Sequence, residues 1–237
     1  MLANVNFEGP GAAPMTPSPL RKAVQKVRGL FRKSPEQAYV DAILRKIERG
    51  GGHSTLGPNI RDEEYTRGKA VEWLRRLVED AGLKPEHFCV EYGCGSLWAA
   101  EPVLGYLQPG KYYGLDLTDQ FYEFGRQRIG DLLAEKQARL AVITPESLRE
   151  VAALRPDFIF SRKVLAHVKD DALPRYLTNI ASLMNEKTVT VIDNHPLIGA
   201  DGQMTGREYD VRDLRPHLPA NVDAQQAEFA IVMRLKH

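Results

Sequence analysis

The residues best placed to do chemistry are a carboxylate and two closely spaced glycines, Glu91-Tyr92-Gly93-Cys94-Gly95-Ser96, with a second acid, Asp116, 21 residues after Gly95. The apolar run Phe88-Cys89-Val90 leads into the first group, and Tyr112-Tyr113-Gly114-Leu115 leads into Asp116. This reads as strand, glycine turn, helix and second strand, an order that receives a nucleotide-type cofactor. Glycines let the backbone approach the ligand, and an acid at the end of the second strand meets a ribose hydroxyl pair. A glycine pair after a strand is a weak signal alone, and an acid at a strand end is often only a helix cap.

The next position in the glycine series separates the cofactors. A dinucleotide wants glycine or alanine there, so that the helix start can approach a pyrophosphate. This chain has Trp98. A cofactor without phosphate and with a zwitterionic amino acid part fits better, and S-adenosylmethionine has that chemistry, with Glu91 toward the ammonium and Asp116 toward the ribose.

In an open α/β sheet the reacting groups gather at the carboxyl ends of the strands. That selects Ser161, Arg162, Lys163, His167, Asp193, Asn194 and His195. His167 and His195 have the intrinsic pKa of a general base, and Asp193 is a further catalytic candidate at the end of the fifth strand. The plainer alternatives are a packing role for His167 and a surface loop for His195. Asp193-Asn194 could supply oxygens to magnesium, but position 161 brings a serine where a third hard ligand would be needed, so no metal is expected.

These residues need a parallel sheet to hold them. From residue 88 onward strand-like and helix-like segments alternate: strands near 88–92, 112–116, 139–143, 157–161 and 188–193, with helices at 98–107, 118–136, 146–154 and 171–184 between them. Alternation at this spacing implies helices on both faces of a parallel sheet. An irregular stretch with Pro196, Gly199, Gly202 and Gly206 follows, then a short helix over about 210–217. The final runs, Val222 to Gln226 and Phe229 to Leu235, are so closely joined that they must form a hairpin, with the last strand antiparallel.

The N-terminal part differs in character. Residues 1–19 are proline- and glycine-rich and read as a flexible tail; 20–62 read as a helical extension; 63–237 carry the main domain. Leu20, Val24, Val27, Leu30 and Phe31 share a helical face flanked only by basic charges, a pattern that could contact an anionic surface. Ser34-Pro35 opens a second helix to about Arg49, and Asp62 is placed to cap a third running to about Gly82. The Asp62 helix and the loop from His195 to Glu208 are expected to cover the pocket.

Lysine and arginine total 32 against 31 acids, so no overall field argues for a highly charged partner. Cys89 and Cys94 fit a reducing compartment better than a disulfide framework, and no apolar run is long enough to span a bilayer. A cytoplasmic protein is expected; its oligomeric state is open.

Residues from about 63 to 237 resemble the class I S-adenosylmethionine-dependent methyltransferases. Glu91 to Ser96 and Asp116 carry the resemblance, and Asp157-Phe158-Ile159-Phe160-Ser161 with Val164-Leu165-Ala166-His167-Val168 is similar to that family's fourth-strand segment. The resemblance implies a Rossmann-like doubly wound sheet of seven strands in the order 3-2-1-4-5-7-6. It implies that Gly93, Cys94 and Gly95 lie against the methionine part, with Glu91 holding its ammonium and Asp116 its ribose. Leu117 would line the adenine, Glu146 or Ser147 would meet the adenine amino group, and Ser161 would stand near the reactive methyl. Ser161-Arg162-Lys163-Val164 stands where the nucleobase and glutamine amino-methylating enzymes carry a proline-aromatic tetrad, which disfavours planar amines. A small-molecule or glycan-type acceptor methylated on oxygen or nitrogen is the expectation; the alternatives are an RNA- or membrane-associated enzyme and a non-catalytic S-adenosylmethionine-binding protein.

Overall fold

The computed structural model describes residues 34–49, 63–198 and 204–236. The expected tail at 1–19, the basic helix at 20–33 and the Asp62 cap lie outside the described residues. Contacts group Pro35–His237 into one compact unit, so the division falls before the second expected helix and not at residue 63.

Helix α1, Pro35–Glu48, carries Glu36 in its first turn and Arg45 and Lys46 in its last, each charge placed to oppose the helix dipole. Helix α2, Glu63–Glu79, is laced by ion pairs such as Arg76 with Asp80 at 3.0 Å, and it buries Trp73 and Leu77. Gly82, at φ 78°, ends it in a Schellman turn in which the Leu83 N–H donates to the Leu77 carbonyl at 2.8 Å.

The sheet strands are β1 Cys89–Tyr92, β2 Tyr112–Asp116, β3 Arg139–Val142, β4 Phe158–Ser161, β5 Val189–Ile192, β6 Val222–Gln226 and β7 Ile231–Leu235. They lie in the order β3-β2-β1-β4-β5-β7-β6. The first five are parallel, and β7 runs antiparallel to both β5 and β6, as the hairpin demands. The connecting helices are α3 Ala100–Tyr106, α4 Asp119–Glu135, α5 Pro145–Ala153, α6 Leu173–Leu183 and α7 Val211–Leu214.

The period of two along each strand sorts side chains onto two cores. Val90, Tyr92, Leu115, Ile159 and Ile192 pack with α6 residues Tyr176, Leu177 and Ile180 on one face. Cys89, Tyr112, Phe158, Phe160 and Val191 pack with Trp73, Leu77, Val103 and Leu104 of α2 and α3 on the other. Strands buried on both sides read as continuous apolar runs, which is why these segments show little alternation in sequence.

Three details depart from the sequence expectation. Helix α3 begins at Ala100 and not at 98, because the chain is still turning: Leu97 stands at φ 62° and donates its N–H to the Cys94 carbonyl at 2.9 Å. Strand β7 begins at Ile231 and not at Phe229, the intervening turn being closed by the Ala227 N–H on the Ala230 carbonyl at 2.9 Å. The stretch after β5 holds a two-residue antiparallel ribbon, Leu197–Ile198 with Met204–Thr205, where only irregular chain was expected.

Candidate active site

The glycine turn joins β1 to α3 through three residues in the left-handed region: Gly93 at φ 85°, Gly95 at 48° and Leu97 at 62°. Gly93 and Cys94 donate their N–H groups to the Leu115 carbonyl at 2.7 and 3.0 Å, which seats the turn on the end of β2. A Cβ on Gly93 would lie 2.3 Å from Val164 Cγ2, so the turn also fits closely against the segment after β4. Cys94 and Cys89 are free thiols, both buried.

Asp116 ties the turn to the second strand. Its carboxylate accepts from the Gly95 N–H at 2.6 Å and from the Leu117 N–H at 2.7 Å. Burial pushes its pKa up to about 6 against the downward pull of those two bonds. A carboxylate has about four acceptor positions, so two N–H groups leave capacity for hydroxyl donors.

Glu91 lies beneath the turn and almost fully buried, accepting from the Tyr112 hydroxyl at 2.5 Å. Burial raises its pKa to about 8; the Tyr112 bond and the Arg162 charge oppose the rise, and Asp116 adds to it. Tyr112 is the site residue that sequence reading missed. The shared face follows from the register, because Glu91 pairs with Gly114 across the two parallel strands and Tyr112 is two residues before Gly114.

At the other strand ends the geometry brings together Arg162, Lys163, Asp193 and His195. The buried Asp193 Oδ1 accepts from the His195 backbone N–H at 3.0 Å and pairs with ring Nδ1 at 3.1 Å; Lys163 Nζ stands 3.7 Å from Oδ2. Burial pushes Asp193 upward, but the His195 ring and the Lys163 charge outweigh it and hold the carboxyl below its usual value. The same ring bond raises the His195 pKa against the effect of burial. The ring is half exposed. Asn194 fixes its amide by donating to the Tyr209 carbonyl at 2.8 Å, and its Oδ1 is buried with no hydrogen-bond partner.

Other expected residues stand elsewhere. Ser161 is fully buried on the α6 face; its hydroxyl donates to the Tyr92 carbonyl and accepts from Tyr176 Oη, both at 2.8 Å. Alternation sends it inward with Ile159, so it braces β1 against α6 instead of opening to a ligand. Glu146 is exposed and paired with Arg149 of its own helix at 2.9 Å, away from any buried wall. Ser147 completes a capping box with Thr144. His167 packs its ring on Tyr39 of α1, with centroids 5.7 Å apart. Trp98 lies under the Arg128 guanidinium, 3.8 Å from the ring centroid, which fills the place a third glycine would leave open. Among the described residues no three His, Cys, Asp or Glu side chains are grouped as metal ligands.

Helix α2 buries Trp73 in the core, packed edge-on to Phe229 at 5.7 Å. In helix α1, Val40 and Ile43 pack with Phe121, and Tyr39, Leu44 and Leu117 join them. Leu117 directly follows Asp116, so α1 lies beside the acid at the end of β2.

Residues 90–189 match the family model of a methyltransferase domain. None of the curated proteins matches the sequence. Among solved structures, the fold is similar to magnesium protoporphyrin IX methyltransferase from Synechocystis PCC 6803 with bound SAM, at 17% identity and a TM-score of 0.50 over 90% of this chain and 96% of that one. The same enzyme with bound SAH gives 16% and 0.51 over 90% and 100%. The small RNA methyltransferase HEN1 gives 16% and 0.51, over 72% of this chain and 25% of its own. Likeness at such identities speaks for the fold, and no helix among the described residues is long and apolar enough to cross a membrane. The methyltransferase-domain match over residues 90–189, the 3-2-1-4-5-7-6 sheet and the acid-glycine turn after β1 support an S-adenosylmethionine-dependent methyltransferase with the Rossmann-like fold of that class.

Proposed function

We propose that the chain methylates an oxygen or nitrogen of a small-molecule or glycan-type acceptor, with His195 as the base that takes the acceptor's proton. The observation that carries this reading is the Asp193–His195 pair at the end of β5: the buried carboxylate holds Nδ1 at 3.1 Å. That bond orients the ring and fixes the proton on Nδ1, so that Nε2 is the basic nitrogen.

The residues at the glycine turn fit the cofactor. Its backbone already stands in conformations that bring it close to a ligand, Asp116 keeps acceptor capacity beyond its two N–H bonds, and Glu91 supplies a buried carboxyl under the turn. When bound, S-adenosylmethionine supplies a methyl group already activated on a sulfonium, so the protein need only align a nucleophile and remove a proton. Gly93, Cys94 and Gly95 would hold the methionine part with Glu91 beneath its ammonium. Asp116 would take the ribose hydroxyls and Leu117 would line the adenine. His167 is left to hold α1, and Ser161 to brace the sheet.

Calorimetry with S-adenosylmethionine and S-adenosylhomocysteine tests the cofactor half; absence of binding for both at millimolar concentration sinks it. For the chemistry, small phenols, carboxylic acids and amines are screened for formation of S-adenosylhomocysteine. On the acceptor so found, His195→Ala should lower turnover by about 10²–10⁴-fold and leave S-adenosylhomocysteine affinity unchanged. Normal turnover of that variant removes His195 as the base.

A further inference from the structure

We infer that the methyl acceptor carries an anionic group, a carboxylate or phosphate, and that Arg162 is the residue that holds it. This rests on the methyltransferase reading above and specifies its substrate class.

Arg162 directly follows β4 and is partly buried, yet no hydrogen bond or ion pair of its guanidinium is found among the described residues. That is unusual for an arginine with restricted access to water, because the guanidinium offers five N–H donors in a rigid fork. Its position follows from the strand period. Phe160 and Arg162 alternate to the same side as Glu91 on β1, which pairs with Phe160 across the sheet. Asp193, one step beyond β5 and in line with Val191, comes to that side too. Arg162 therefore stands between the acid beneath the cofactor turn and the acid that orients the base, and both act on it electrostatically without binding it.

The charge around it calls for an anion. Lys163 adds positive charge at the same strand ends, and Asp193 is already engaged by Lys163 and by the His195 ring. Glu91 accepts from Tyr112 and makes no ion pair with Arg162, and burial raises its pKa to about 8. A bound sulfonium adds one further positive charge. An acceptor with a carboxylate or phosphate would neutralise this excess and meet Arg162 in the two-pronged geometry that a guanidinium favours. Lys163 stands in the left-handed region at φ 58°, a strained conformation for a non-glycine residue immediately after Arg162, and such strain concentrates where ligands are held. Asn194, two residues past β5, adds a buried acceptor oxygen with no partner at the same strand ends.

The test uses the full chain, native and as Arg162→Gln and Arg162→Lys. Calorimetry measures S-adenosylhomocysteine and methylthioadenosine, which lacks the amino acid part, and then acetate, benzoate and inorganic phosphate against acetamide and benzamide on the protein saturated with S-adenosylhomocysteine. The native chain should prefer at least one anion to its neutral counterpart by about tenfold; Arg162→Gln should abolish that preference and Arg162→Lys keep part of it. S-adenosylhomocysteine affinity should be the same in all three, which also reports that the variants fold. The inference fails if the native chain shows no preference for any anion, or if the preference survives Arg162→Gln. It fails equally if Arg162→Gln weakens S-adenosylhomocysteine but not methylthioadenosine, since Arg162 would then serve the cofactor's own carboxylate. A native chain that binds S-adenosylhomocysteine but no anion sinks this inference alone; one that binds neither sinks the cofactor reading with it.

Discussion

Replacing Gly93 by alanine should damage this protein through two separable effects. The residue stands at φ 85°, where a side chain costs about 1–2 kcal/mol. The added Cβ would also lie 2.3 Å from Val164 Cγ2, and Val164 cannot swing aside freely because a β-branched side chain has few allowed rotamers. Overpacking of this kind costs about 1–3 kcal/mol, so the sum is about 2–5 kcal/mol. Val164→Ala removes only the second effect: with both Cγ atoms gone the nearest remaining atom is Cβ at 3.4 Å, an ordinary contact. Urea unfolding of the native chain, the two single variants and the double variant closes a double-mutant cycle. The double variant should be more stable than additivity allows by about 1–3 kcal/mol, while the left-handed cost persists. In thermal unfolding Gly93→Ala should lower the midpoint by about 4 °C or more. A Gly93→Ala loss under about 0.5 kcal/mol, or a strictly additive cycle, would refute the close fit between the turn and the segment after β4.

Asp116→Ala strips the acceptor from two backbone N–H groups, so it should weaken S-adenosylhomocysteine binding and lower stability by about 1–3 kcal/mol for each N–H left unsatisfied; unchanged affinity by calorimetry would show that the ribose assignment is wrong. For Glu91 the sign follows from a folded pKa of about 8 against an ordinary 4.5: the folded state binds the proton more tightly, so stability falls as pH rises through that window. Glu91→Gln should therefore gain on the native chain from pH 5 to 8 in urea midpoints, and a pH-independent difference would mean that the carboxyl is ionised in the fold. Asp193→Asn should lower the His195 pKa and move the rising limb of the turnover profile to lower pH while reducing its plateau; a limb that stays in place would detach Asp193 from the base.

The strand order and the turn were legible because they rest on local rules: glycines where φ is positive, apolar runs of strand length, and a hairpin too short for a crossover. Asp193 and His195 were each singled out as strand-end candidates, but the hydrogen bond between them was not read from the sequence, although residues two apart in an extended chain can share one. What escaped were the contacts that depend on which face meets which helix. Ser161 was placed near a ligand because it ends a strand, but its parity sends it to Tyr176. Glu146 was placed near adenine by nearness in sequence, but as the second residue of α5 it turns outward to Arg149. The role of α1 was invisible for the same reason, because its apolar face matches a surface assembled from Leu117 and Phe121, more than seventy residues away.

That placement of α1 makes ligand and helix reciprocal. Its hold on the rest of the unit rests on a few apolar side chains, and one of them is the neighbour of Asp116. Any molecule lodged beside Leu117 thus alters the free energy with which the helix docks, and by linkage the docked helix alters the affinity for that molecule by the same amount. With the cofactor against Leu117 as proposed, truncations that remove residues 35–48 would change its affinity without touching a single atom of the glycine turn.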